Sequence, residues 1–344
     1  MTAKKSSAIK GIAIMLMLIH HLFTWGQAQY ISIANVTLPN NLTIEGFFGV
    51  FGKLCVTLYL FLSGYGFSCK YSKRSAYIMK YTERIIIAWK IYRKYLLVLF
   101  FFLPYGIFSG IYPSDIKSIV GNITAFNTTY NKECWFLFIY ILIILFVLPL
   151  LVRTQDCVDD KWIAAGSLCL IICGYTMRFI IVHSSMAWFR DTKVFFNIYY
   201  FMLSQFSFVV GWSCRRWYFF EKLKNLSIKF PLWIFLMAVL MAVKVYCPGG
   251  MLIDTILTPI FVDLCLKALE CAVKAEKIFC FLGKHSTYMW MTHTFFAFYY
   301  WSDFIYGFKY PVFIILVLVA VSIIVACVLE KIEYLICKEV KKVE

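Results

Sequence analysis

Ile9–Trp25 reads IKGIAIMLMLIHHLFTW, a run apolar and long enough to cross a membrane, yet with Lys10 at its start and His20-His21 deep inside it. On a helix each residue turns ~100° and rises ~1.5 Å. Lys10 and His21 are eleven steps apart, which leaves them about 20° from one shared face and ~16 Å apart along the axis. His20 falls roughly 80° away from that stripe. A cation and an imidazole thus share one line of a lipid-embedded helix, and a charge at the bilayer centre costs about 2.5–3.5 kcal/mol on insertion scales.

The whole chain has the same character. Hydrophobic residues make up 62% of its 344 residues and charged residues 15%, with a mean hydropathy of +0.77. A soluble protein of this length cannot hide so much apolar surface, so the expected class is an all-α, polytopic membrane protein. The net charge of +16 would point to nucleic acid in a soluble protein. Here the positive-inside rule accounts for it, with membrane lipids rather than nucleic acid as the partner. The thirteen cysteines stand mostly singly in apolar runs, among them Cys55, Cys169 and Cys265, and no spacing matches a metal site.

Apolar runs able to cross a hydrocarbon core of ~30 Å fall at 8–25, 47–69, 91–112, 134–152, 162–182, 194–214, 230–247, 251–272, 285–301 and 311–330, which predicts ten spans. With the N-terminus cytoplasmic, inner segments hold 26 of the 34 Lys and Arg and outer loops hold five; Lys53, Arg178 and Lys244 lie within spans. That asymmetry predicts both termini on the cytoplasmic side. Residues 26–28 imitate a signal-peptide cleavage site, but the histidine pair and the nine later spans favour a retained first helix. No repeat or soluble domain interrupts the chain, so residues 1–344 are expected to form one membrane domain. Residues 70–90 are too charged to span and are expected to form a cytoplasmic, interfacial amphipathic helix.

Ionisable groups inside spans are candidates for function. His20 and His21 admit two readings, a pair that packs helices through hydrogen bonds or a base that takes a proton from a hydroxyl. Alignment with Lys10 favours the second. Ser63, in the small-residue segment 63–66, permits close helix approach. Ser286 and His293 are seven residues apart and face one way. Asp263 and Lys267 are spaced to neutralise each other. Eight cations between Lys70 and Lys94 suit a phosphorylated ligand. Arg84 and Arg93 lie on opposite faces of an ideal helix, so they could share a ligand only across a break.

Several of these stretches resemble the acyltransferase-3 family of integral membrane O-acyltransferases. Lys10 and His21 are similar to the family's basic residue ten positions ahead of a histidine. The stretch from Leu58 to Tyr65 resembles its serine-glycine segment, Glu133 to Leu137 its tryptophan-phenylalanine-leucine helix, and Leu282 to His293 its late serine-and-histidine segment. The resemblance covers nearly the whole chain. It departs at residue 10, where lysine stands for the commoner arginine, and after Arg84, where a second arginine and a proline are missing.

The resemblance implies transfer of an acyl group, acetyl from cytoplasmic acetyl-CoA, to a hydroxyl of a cell-surface glycan or lipid-linked sugar, by a multi-pass protein of the bacterial inner membrane. It implies His21 as general base oriented by His20, Lys10, Arg84 and Arg93 as ligands of the acetyl-CoA co-substrate, and Ser63, Trp135, Ser286 and His293 lining the substrate cavity, with no metal. The family's fused esterase-like domain is not found in these 344 residues, so transfer falls to the membrane domain or to a separate partner. A transporter or flippase of lipid-linked sugars is the alternative class, disfavoured by the lack of inverted repeats and by few Gly or Pro breaks within spans.

Overall fold

A computed structural model of the chain describes residues 1–24, 30–32, 37–72, 77–226, 228–247 and 249–343. Trp25, the cleavage-like residues 26–28, and Arg74 of the basic segment lie outside the described residues. The chain opens with α1 (Ala3–Thr24), whose first turn is tied by Lys5 N–H donating to Thr2 Oγ1 at 3.3 Å. Thr43 caps α2 (Ile44–Gly52) by accepting from Gly46 N–H at 3.1 Å, and α3 (Cys55–Tyr71) follows almost directly. Next come α4 (Tyr81–Phe108), α5 (Ile116–Ile123), α6 (Trp135–Leu142) and α7 (Leu148–Thr154). A wide π turn at Ile143–Val147 joins the last two just ahead of Pro149, which has no N–H to continue the ladder.

The second half holds α8 (Asp160–His183), α9 (Ala187–Asp191), α10 (Lys193–Arg216), α11 (Phe219–Leu223), α12 (Phe230–Tyr246), α13 (Gly250–Cys271), α14 (Val273–Thr294), α15 (Ser302–Tyr306) and α16 (Pro311–Val343). There is no named strand among the described residues; only an isolated bridge joins Leu38 and Leu42.

Among the described residues, six helical segments are long and apolar enough to cross a membrane: Ala3–Thr24, Ile44–Tyr71, Lys132–Thr154, Asp160–His183, Lys193–Arg216 and Pro311–Lys338. The other four expected spans fall on helices too, namely α4, α12, α13 and the end of α14. Of these four, α12 is an apolar helix of 17 residues, shorter than the six. Only 22% of the most apolar stretch of α8 and 28% of that of α16 is buried inside the protein, against 56% for α1. Phe179, Ile180, Leu316 and Ile324 stand exposed on those two helices, and so extensive an apolar flank needs lipid to cover it. The chain is an integral membrane protein.

Two crossings set the interior. On α1 and α14, a Cβ at Gly11 would collide with the Phe279 carbonyl, and one at Gly283 with the Ser7 carbonyl. On α3 and α10, Gly64 and Gly211 stand in the same relation to the carbonyls of Phe208 and Phe61. Backbones this close exclude any side chain at the contact, which is how small residues join membrane helices. α1 and α14 run parallel, as shown by the ion pair of Lys4 with Glu276 near their starts and the contact of His21 with His293 near their ends.

The segment 70–90 departs from the expected interfacial helix. α3 runs on to Tyr71, residues 77–80 are not helical, and from Tyr81 the chain is already α4. Glu83 draws this corner together, accepting from Tyr71 Oη at 2.5 Å, Tyr77 Oη at 2.5 Å and Lys70 Nζ at 3.2 Å. Burial pushes the Glu83 carboxyl up, but these three donors outweigh it and hold it at about 2. α4 then passes from Arg84 to Arg93 as one helix, so the two arginines stay on opposite faces and share no ligand.

Candidate active site

The parallel packing of α1 on α14 brings His21 against His293. Their rings stack with centroids 4.9 Å apart, and His21 Nδ1 lies 2.7 Å from His293 Nε2. His293 Nδ1 lies 3.0 Å from the Met289 carbonyl and 2.9 Å from that of Trp290. Carbonyls only accept, so His293 carries its hydrogen on Nδ1 and presents a bare Nε2 when neutral. His21 must then donate from Nδ1, and its Nε2 keeps a lone pair. That nitrogen has no hydrogen-bond partner among the described residues.

His21 borders a cavity of about 1080 Å³ that also takes in Lys10, His20, Ser63, Trp135 and Ser286. Six of the nine residues singled out in the sequence therefore meet in one space. Lys10 has no ion pair among the described residues, and its backbone carbonyl accepts from Tyr59 Oη at 3.4 Å. The Ser63 hydroxyl accepts from Tyr140 Oη at 3.3 Å. Trp135 packs on Tyr200 with centroids 4.5 Å apart, and Ser286 Oγ donates to the Gly283 carbonyl at 2.9 Å. Of the other three, His293 is buried behind His21 rather than on the cavity wall.

Three expected site residues have other contacts, away from His21 and the cavity. His20 was expected to orient His21, but its Nδ1 donates to the Gly49 carbonyl at 2.8 Å, with Thr24 Oγ1 at 2.9 Å, and holds α2 on α1. The orienting bond comes from His293. Arg93 does not reach the cavity: its Nε and Nη2 grip Glu333 at 2.9 and 2.8 Å, in a cluster completed by Lys94 and Tyr288. Arg84 also lies off the cavity wall, with Nη2 donating to the Met79 carbonyl at 3.0 Å. Arg93 thus pairs with an acid 240 residues away, and Arg84 with a backbone carbonyl five residues back.

Further polar groups line the cavity. Glu133 Oε2 accepts from Tyr299 Oη at 3.0 Å, and Lys132 and Lys284 are on the wall as well. The π turn Phe295–Tyr299, directly after α14, places both Phe298 and Tyr299 on it. Lys53, Arg178 and Asp254, each marked in the sequence as ionisable within a span, converge there from three parts of the chain. Asp263 and Lys267 do pair with each other, at 2.7 Å. No group of three His, Cys, Asp or Glu able to hold a metal ion occurs among the described residues.

Together these features define a helical membrane protein with His21, backed by His293, on the wall of a cavity that several charged side chains also line. A family model described as an acyltransferase domain matches residues 6–331, so the chain belongs to the acyltransferase-3 family. It is a membrane acyltransferase, and of the two classes weighed from the sequence the enzyme stands. Comparison with curated proteins and with solved structures returned no match.

Proposed function

We propose that the protein moves an acetyl group from cytoplasmic acetyl-CoA to a hydroxyl of a cell-surface or membrane-presented glycan, with His21 as general base. In this reading the chain has ten spans with both termini in the cytoplasm of a bacterium, and sits in its inner membrane. Lys10 and Lys284 hold donor phosphates at one end of the cavity. The pantetheine arm extends along it, so the thioester reaches His21.

The acceptor hydroxyl gives its proton to His21 Nε2 as its oxygen attacks the thioester carbonyl. An ester C–O bond forms, the C–S bond breaks, and the proton passes to the departing thiolate. His293 receives the hydrogen bond from His21 Nδ1, holding the tautomer and the ring in place. Ser63, Trp135 and Ser286 shape the space around the acceptor.

One observation carries this reading: Lys10 and a His21 whose Nε2 lone pair is free share one cavity. The test is mass spectrometry of surface polysaccharide from cells with and without the protein. An added acetyl that depends on the protein supports the reading, and an identical acyl pattern overturns it.

A further inference from the structure

The cavity has a second cationic end, at the level of His20. Lys53, in the α2–α3 joint, and Arg178, near the end of α8, both line it, and neither has a hydrogen bond or an ion pair among the described residues. Lys244 is buried close by and pairs with Asp254 at 2.9 Å. Lys53 lies within electrostatic reach of Lys244, Asp254 and Arg178 alike. Three cations against one carboxylate leave this group with a charge of +2. Uncompensated charge between membrane helices is costly and marks a place where a ligand supplies the counter-charge.

Arg178 and Tyr175 belong to a second depression as well, of about 620 Å³, along the outward flank of α8 with Thr176, Phe179, Val182 and His183. Arg178 therefore stands at the junction between the cavity that holds His21 and an apolar flank.

We propose that Lys53 and Arg178 form an anion subsite that binds a phosphate carried by the acyl acceptor. The assignment rests on the acyltransferase reading of the cavity and names its substrate class as a phosphorylated glycan. A phosphate monoester carries about −1.5 to −2 near neutral pH and matches the charge of the group, whereas one carboxylate leaves a cation unmet. Arg178 supplies a planar fork for two phosphate oxygens and Lys53 a point charge. The shared chemistry is the phosphate ester, borne by a lipid-linked or by a soluble acceptor.

The test is binding to the full-length protein in lipid nanodiscs, read by calorimetry, with dodecyl phosphate, glucose 1-phosphate, dodecanoate and dodecyl glucoside as probes. Binding of either phosphate is expected, weakened about tenfold or more by Lys53→Met and by Arg178→Met, and retained in Lys53→Arg. Tighter binding of dodecyl phosphate supports a membrane-borne source, and equal binding of glucose 1-phosphate a soluble one. Equal binding of dodecanoate, binding unchanged in the double variant, or displacement of the phosphates by CoA overturns the assignment. Because the readout is binding alone, it stands apart from whether His21 drives acetyl transfer.

Discussion

His21 donates its Nδ1 hydrogen to His293 Nε2 across 2.7 Å, and two backbone carbonyls fix the direction of that bond. Residues 272 positions apart in the chain thereby set which nitrogen of His21 meets the substrate. His293→Leu removes the acceptor and is expected to lower the rate of acetyl transfer roughly 10- to 100-fold. His293→Gln offers a side-chain carbonyl to the same hydrogen and is expected to recover much of the loss. Initial rates with labelled acetyl-CoA check both, and a fully active Leu variant would contradict the pairing.

The segment 63–66 holds two glycines of different kinds. A Cβ at Gly64 meets the Phe208 carbonyl, while one at Gly66 meets nothing within 4 Å. Gly64→Ala is expected to destabilise the protein by about 1–3 kcal/mol as α3 and α10 are forced apart. Gly66→Ala is expected to be neutral or stabilising by up to ~1 kcal/mol through helix propensity. Thermal unfolding in detergent separates the two.

Arg93 is held by Glu333, so its removal should cost stability before it costs donor affinity. Arg93→Gln and Glu333→Gln are expected each to lower Tm and to be non-additive, with a coupling of about 1 kcal/mol because the guanidinium is partly exposed. The KM for acetyl-CoA should stay unchanged in Arg93→Gln. A raised KM with unchanged Tm would return Arg93 to the donor site.

Glu83 predicts a pH dependence. Its folded carboxyl is held at about 2, below the ordinary 4.5, by Tyr71, Tyr77 and Lys70 against the opposing effect of burial. The stabilisation is therefore present above pH 4.5 and is lost as pH falls from there toward about 2. The Tm difference between wild type and Glu83→Gln should shrink through that window. A difference that grows on acidification would contradict the sign.

Much of this was legible because membrane helices announce themselves as apolar runs, and every expected span falls on a helix. The Lys10–His21 stripe was legible for a similar reason: helical periodicity alone puts both on one face, and both line the cavity. Periodicity says nothing about which helix lies opposite. The sequence therefore aligned Ser286 with His293 but could not show that His293 partners His21, nor that Gly283 marks the α1–α14 crossing. Lys53, Arg178 and Asp254 were each conspicuous as charges within spans, but their convergence depends on packing between α2, α8 and α13. Glu133 stands beside Trp135 in a recognisable segment, yet its bond to Tyr299 depends on the π turn after α14. The partners of Arg84 and Arg93 were not legible because a basic segment looks alike whether its cations face a ligand, a backbone carbonyl, as Arg84 does, or a carboxylate brought in by α16, as Arg93 does.

The central claim is that His21 Nε2 takes the acceptor's proton, and His21→Ala tests it most directly. With purified protein in native lipid, labelled acetyl-CoA and glycan-bearing membranes, acetyl transfer is expected to fall about 10²- to 10⁴-fold, while the variant still binds acetyl-CoA. Transfer at the wild-type rate by His21→Ala would contradict the account.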